Sequence, residues 1–163
     1  MKNLNINGNI FLYPSSIFVS KKPNFIITIL GSCVSVCLFD FRLKIGGINH
    51  FMLPFWNKEN LASPRYGDIA IEELIKKMKI NGAKRENLKA KLFGGAKVLE
   101  NMENKNSLKQ GKVGMRNITI ARKILKEEKI SIIGSSTGGY YGRKIIFNTN
   151  TGEVRMKFIK KSF

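Results

Sequence analysis

The sequence is poor in the residues that staple or metallate small domains. It holds two cysteines and one histidine among 163 residues, too few for a disulfide scaffold, and no Cys/His cluster shows zinc-ligand spacing. No apolar run approaches the ~20 residues needed to cross a bilayer. The start, Met1-Lys2-Asn3-Leu4-Asn5, lacks the apolar stretch of a secretory signal. Neither the phosphate-loop pattern GxxxxGK(S/T) nor the dinucleotide pattern GxGxxG occurs. These absences predict a protein of the reducing cytoplasm.

Acidic residues are also scarce. Eleven face 29 basic ones, for a net charge of +18. Such a field attracts polyanions or acidic proteins. Only seven of the 29 are Arg, however, and Asn and Ile are abundant. Readers of bases and phosphates favour the bidentate Arg fork. No five-residue basic block and no aromatic–basic RNA-binding motif stands here. A solvated basic surface is the better reading, with nucleic-acid binding a rival.

Hydrophobic residues make up 43% and charged residues 25%, the balance of one globular domain spanning 1–163. Phe11-Leu12 and Ile17-Phe18-Val19 flank a Pro14-Ser15-Ser16 turn. Phe25–Leu30 is β-branched and apolar, a buried strand. Cys33–Phe39 and Ile45–Leu53 make a strand pair. A helix is expected from near Pro64-Arg65 to Gly82, with acids early and lysines late. Leu88–Phe93 reads as a strand, Asn117–Lys129 as a second helix and Ile130–Gly134 as a strand. Ser135–Gly139 reads as a glycine-rich loop. Lys144–Thr149 and Val154–Ile159 close as a hairpin through Asn150-Thr151-Gly152. The polar segment Asn101–Lys112 reads as an exposed loop. The predicted fold is therefore α/β, with mostly antiparallel strands and two main helices.

The chemistry centres on His50, 17 residues after Cys33. A hairpin turning at Phe41-Arg42 would pair Asp40 with Leu43 and, followed to its end, Cys33 with His50. Opposed residues share a face, so a slip of one residue would separate them. Gly31-Ser32 before Cys33 permits a sharp turn and close substrate approach. Free N–H groups at that break could hold an oxyanion. His50 could then draw the thiol proton and form a thiolate–imidazolium pair. The competing reading makes Cys33 a small buried hydrophobe and His50 a satisfied core histidine. Cys37 shares the parity of Cys33, but no histidine stands opposite it, so it reads as packing. Gly46-Gly47, Gly94-Gly95 and Gly138-Gly139 read as tight turns or cleft-shaping pairs. Trp56 beside Phe55 reads as a binding surface or a partly buried anchor.

Leu30-Gly31-Ser32-Cys33-Val34-Ser35-Val36-Cys37-Leu38 resembles the LGSCV signature of CheD, the bacterial chemoreceptor glutamine deamidases. The likeness continues through Gly47–Pro54, Arg65-Tyr66-Gly67-Asp68, Phe93–Ala96, Gly114-Met115-Arg116-Asn117, Thr137-Gly138-Gly139 and Gly142-Arg143. The resemblance implies a layered α/β sandwich of the cysteine-hydrolase deamidase type. It implies Cys33 as nucleophile and His50 as general acid/base. Its third member, a threonine that orients the histidine, falls on Thr28, five residues before Cys33, whereas Ile27 stands at the six-residue offset common in that family. Ser32 is the candidate for oxyanion or substrate contact. The implied reaction turns receptor Gln side chains into Glu with release of ammonia, through a thioester and without metal or cofactor. A methylesterase side reaction and a CheC-type phosphatase partner are also implied. The rivals are another cysteine hydrolase and a non-catalytic chemotaxis regulator that binds receptors or such a phosphatase.

Overall fold

The computed structural model describes residues 4–6, 8–97 and 106–160. Along them run β1 (Leu4–Ile6), β2 (Asn9–Phe11), β3 (Ser16–Ser20), β4 (Phe25–Leu30), β5 (Val34–Asp40) and β6 (Ile45–His50). There follow α1 (Gly67–Ile80), a 3-10 turn at Arg85–Asn87, β7 (Leu88–Gly94), α2 (Asn106–Glu127), β8 (Ser131–Thr137), β9 (Gly142–Asn148) and β10 (Val154–Ile159). The strands build two five-stranded sheets, ordered β1-β2-β4-β9-β10 and β3-β6-β5-β7-β8. The β2–β4 and β7–β8 pairs are parallel and the others antiparallel.

Side-chain alternation explains the layering. In β4, Ile26, Thr28 and Leu30 are buried while Phe25 and Ile29 are about half exposed, so this sheet turns one face to water. β6 is buried at every residue, and β5 at all but Phe39, because their sheet is covered on both sides. One apolar cluster, including Ile26, Leu30, Cys37, Ile48 and Phe147, fills the space between the sheets. A second, including Val36, Leu38, Leu74, Met78 and Leu125, lies between the second sheet and the helices. The order is sheet, sheet, helices. Gly46-Gly47 is neither turn nor cleft: a Cβ on Gly46 would come within 2.5 Å of the Thr149 carbonyl, and one on Gly47 within 2.7 Å of Met78 Sδ. The pair lets the layers on both sides close onto β6.

Three expectations need correcting. The β5–β6 ladder pairs Asp40 with Ile45 and Cys37 with Ile48, two residues out of the expected register. A two-residue turn at Phe41-Arg42 would need residues at ease with positive φ, such as Asn-Gly. A four-residue turn forms instead. Asp40 Oδ1 accepts from the N–H groups of Arg42 and Leu43, and Oδ2 from that of Lys84. Burial pushes the Asp40 carboxyl up, but these N–H groups outweigh it and hold the carboxyl below its ordinary range. The second correction concerns Asn101–Lys112. Residues 101–105 lie outside the described residues, but α2 already begins at Asn106. Gly111 and Gly114 weaken the helical pattern. Yet a Cβ on Gly114 would come within 2.6 Å of the Gly95 carbonyl, so a close tertiary approach explains the glycine. Finally, Ser135–Thr137 belongs to β8, paired in parallel with Leu92–Gly94, rather than to a loop.

Candidate active site

β4 ends at Leu30, and Gly31-Ser32-Cys33 carries the chain from the first sheet to the second. Cys33 stands just before β5, half-buried against the interlayer cluster. Its carbonyl accepts from Gly95 N–H at 2.9 Å, and the Gly31 carbonyl accepts from Ala96 N–H at 2.9 Å. Gly94 has φ +107°, and a Cβ there would collide with the Cys33 carbonyl. Gly94-Gly95 therefore grips the backbone of the thiol segment, a close approach open only to glycine. Gly138-Gly139, by contrast, is a turn with positive φ and open space around it.

His50 ends β6. Val34 and Phe51 exchange both backbone hydrogen bonds, and the ladder resumes at Cys37–Ile48. Between them the rung from Val36 is diverted: its N–H donates to Asn49 Oδ1 at 2.8 Å. At this opening His50 reaches across the interlayer to β4, where its Nδ1 lies 2.8 Å from Thr28 Oγ1. Thr28 Oγ1 also lies 2.8 Å from the Leu12 carbonyl. A carbonyl can only accept, so the single hydroxyl proton goes to Leu12. Thr28 must then accept from His50 Nδ1–H. That fixes the neutral tautomer and leaves Nε2 with a free lone pair. Nε2 is buried and has no hydrogen-bond partner among the described residues.

Thr28 meets His50 although it lies five residues before Cys33, because the chain changes sheets between Leu30 and Val34. Facing on β4 is set by the first sheet, not by counting back from Cys33. Ile27 occupies the other face of β4, away from Thr28 and the interlayer.

Cys33 and His50 do not stand directly opposite one another. Continuing the observed register sets Ser35 opposite His50, with Cys33 the next residue along on the same face. The two-residue shift preserves the face but not the direct pairing. No hydrogen bond joins Sγ to Nε2. The ionisation also differs from the expected ion pair. Burial lowers the His50 pKa to about 4. Burial raises that of the Cys33 thiol, opposed only in part by the N–H of Cys33 itself. At neutral pH the pair is a thiol beside a neutral imidazole. Cys37 lies within the ladder opposite Ile48, and burial pushes its thiol far up.

Three buried residues here stood in the sequence only as members of matched segments, with no role assigned: Ser35, Asn49 and Asn117. Each has a buried side-chain atom without a partner among the described residues, namely Ser35 Oγ, Asn49 Nδ2 and Asn117 Oδ1. The available signal was polarity inside apolar strands, in Val34-Ser35-Val36 and Ile48-Asn49-His50. Ser32 contributes its carbonyl, which accepts from Asn117 Nδ2 at 3.0 Å.

Fold and geometry define a class: a layered α/β sandwich of two five-stranded sheets and two helices, with a thiol and an imidazole bordering the interlayer. A family model described as CheD chemotactic sensory transduction matches residues 52–158, beginning just after His50. A "Probable chemoreceptor glutamine deamidase CheD" of Sulfurimonas denitrificans is 45% identical over 152 residues, covering 93% of this chain and 95% of its own. Proteins of the same name from Trichlorobacter lovleyi and Methylobacillus flagellatus are 47% and 39% identical, covering 88% and 92% of this chain and 86% and 73% of theirs. The chain belongs to the CheD family.

Proposed function

We propose that this protein is a cytoplasmic chemoreceptor glutamine deamidase, a protein-glutamine amidohydrolase that uses Cys33, His50 and Thr28. The observation that carries the site is the Leu12–Thr28–His50 relay, which leaves Nε2 as a buried base at the end of the interlayer that Cys33 also borders. Among the described residues no helix is long and apolar enough to cross a membrane.

The neutral resting pair calls for general-base catalysis rather than a standing thiolate. As Sγ attacks the carboxamide carbon of a Gln side chain, Nε2 takes the thiol proton. A rotation of the Cys33 side chain brings Sγ toward Nε2. The Cys33 N–H supports the developing oxyanion. Thr28 keeps Nδ1–H in place while the imidazole becomes cationic. Nε2–H then protonates the amide nitrogen, the C–N bond breaks and ammonia leaves. Water attacks the γ-glutamyl thioester, giving its proton to Nε2. The released sulfur recovers that proton, and Gln plus water has become Glu plus ammonia. The same cycle hydrolyses a glutamyl methyl ester, with methanol in place of ammonia. The net charge of +18 suits acidic receptor helices. A CheC-type phosphatase is a regulatory partner that the family resemblance suggests.

The test is to incubate a receptor cytoplasmic fragment with the protein and map its peptides by mass. Gln-to-Glu changes of about +1 Da at defined positions, with stoichiometric ammonia, are expected. Receptor binding without any mass change would favour the non-catalytic regulator.

A further inference from the structure

The Gly114-Met115-Arg116-Asn117 segment has no part in the proposed chemistry, yet it enters the site from the helical layer. Asn117, on α2, is fully buried. Its Nδ2 lies 3.0 Å from the Ser32 carbonyl and 3.0 Å from the Met52 carbonyl. Both partners are acceptors only, so the amide orientation is fixed. Ser32 immediately precedes Cys33, and Met52 comes two residues after His50. The β5–β6 ladder makes its last backbone rung at Val34–Phe51. Beyond that rung the two strands diverge, and one side-chain amide bridges them.

The direction of the bridge matters. A trans peptide is planar, so its C=O and N–H point opposite ways. Pinning the Ser32 carbonyl toward α2 turns the Cys33 N–H away from the helices. That is the interlayer side, where the Cys33 sulfur packs. Among the described residues Asn117 Oδ1 is buried without a partner, so the position uses the donor half of the amide.

We propose that Asn117 is the positioning residue of the Cys33 site: by fixing the Ser32–Cys33 peptide plane it aims the Cys33 N–H at the sulfur and at the oxyanion. Asn117 makes no hydrogen bond to the Cys33 sulfur and acts through that peptide, its second bond holding the Met52 carbonyl beside it. The proposal deepens the deamidase reading and rests on it for the oxyanion alone; the effect on the thiol is independent of any substrate.

The test compares wild type with Asn117→Leu, nearly isosteric and without a donor, and Asn117→Gln, which keeps one. Folding is checked by circular dichroism and thermal melting. Iodoacetamide alkylation of Cys33, read by peptide mass, is followed across pH in the folded protein. Asn117→Leu is expected to move the alkylation profile to higher pH and to slow the reaction several-fold at neutral pH, with Asn117→Gln restoring it in part. In deamidation of the receptor fragment, kcat should fall at least tenfold while KM stays within twofold. If the Leu variant does not fold, Asn117→Asp, which also lacks the donor, is judged by the same kcat-against-KM split and by Asn117→Gln rescue. A folded Leu or Asp variant with wild-type alkylation and kcat would overturn the proposal, as would a loss of activity that only tracks loss of folded protein. If wild type proves unable to deamidate, the deamidase reading fails, while the alkylation profiles still decide the role of Asn117 toward the thiol.

Discussion

Cys33 and Cys37 are four residues apart, and both border the space between the sheets. Cys37 sits within a continuous ladder, opposite Ile48 and beside Lys91 on β7. Its backbone groups are committed to strands on either side. Cys33 sits where the chain has just crossed from one sheet to the other. There its carbonyl is gripped by Gly95, its neighbour's carbonyl by Asn117, and an imidazole with a fixed tautomer ends the adjacent strand. The two residues have the same side chain, but Cys33 is half-buried and Cys37 fully buried. Beyond burial, what separates them is backbone: a strand interior spends its N–H groups on rungs, whereas a strand end leaves one free of the ladder.

That contrast can be broken experimentally. Removing the proposed nucleophile should have the largest effect. Cys33→Ala is expected to lower deamidation by ~1,000-fold or more, the loss usual when a nucleophile is deleted, measured as ammonia release.

The next effect concerns pH. His50 has a pKa of about 4 in the folded chain against an ordinary 6.5. Between those values the unfolded chain binds a proton that the native state refuses. Stability should therefore be fully present above pH ~6.5 and fall as pH drops toward 4, by about 3 kcal/mol in all. Urea unfolding at pH 7 and pH 4.5 reads it, and His50→Gln should flatten that part of the profile. An unchanged slope in His50→Gln would place the titration elsewhere.

Thr28→Val should follow, since it removes the acceptor that fixes the tautomer. A loss of ~10- to 100-fold in kcat is expected, with Thr28→Ser close to wild type. Ile27→Thr, on the opposite face of β4, should leave kcat unaltered. Cys37→Ala should matter least. It should cost about 1 kcal/mol of stability through a small cavity and leave kcat within about twofold. Strong inactivation there would erase the distinction between the two thiols.

Much of this arrangement was legible in the residues. Phe25–Leu30 alternates inside a β-branched run and forms β4 at those bounds. The acids and lysines of α1 lie at the ends that its dipole favours. The shared face of Cys33 and His50 followed from strand parity, which a two-residue slip leaves intact. The register itself was not legible, because the Asp40 side chain, not a two-residue turn, closes the loop. The start of α2 was hidden by its glycines. The ionisation was hidden as well, since spacing carries no information about burial. Asn49 and Asn117 stood only as members of matched segments, without a role, because each works through a carbonyl or N–H of a distant segment.

The most direct measurement is an acid-quenched reaction of the protein with a Gln-containing receptor peptide, read by mass on the Cys33 peptide. A hydroxylamine-labile adduct is expected on Cys33, equal in mass to the substrate peptide less ammonia and absent from Cys33→Ala. Undiminished ammonia release by Cys33→Ala, with no adduct on the wild-type thiol, would contradict it.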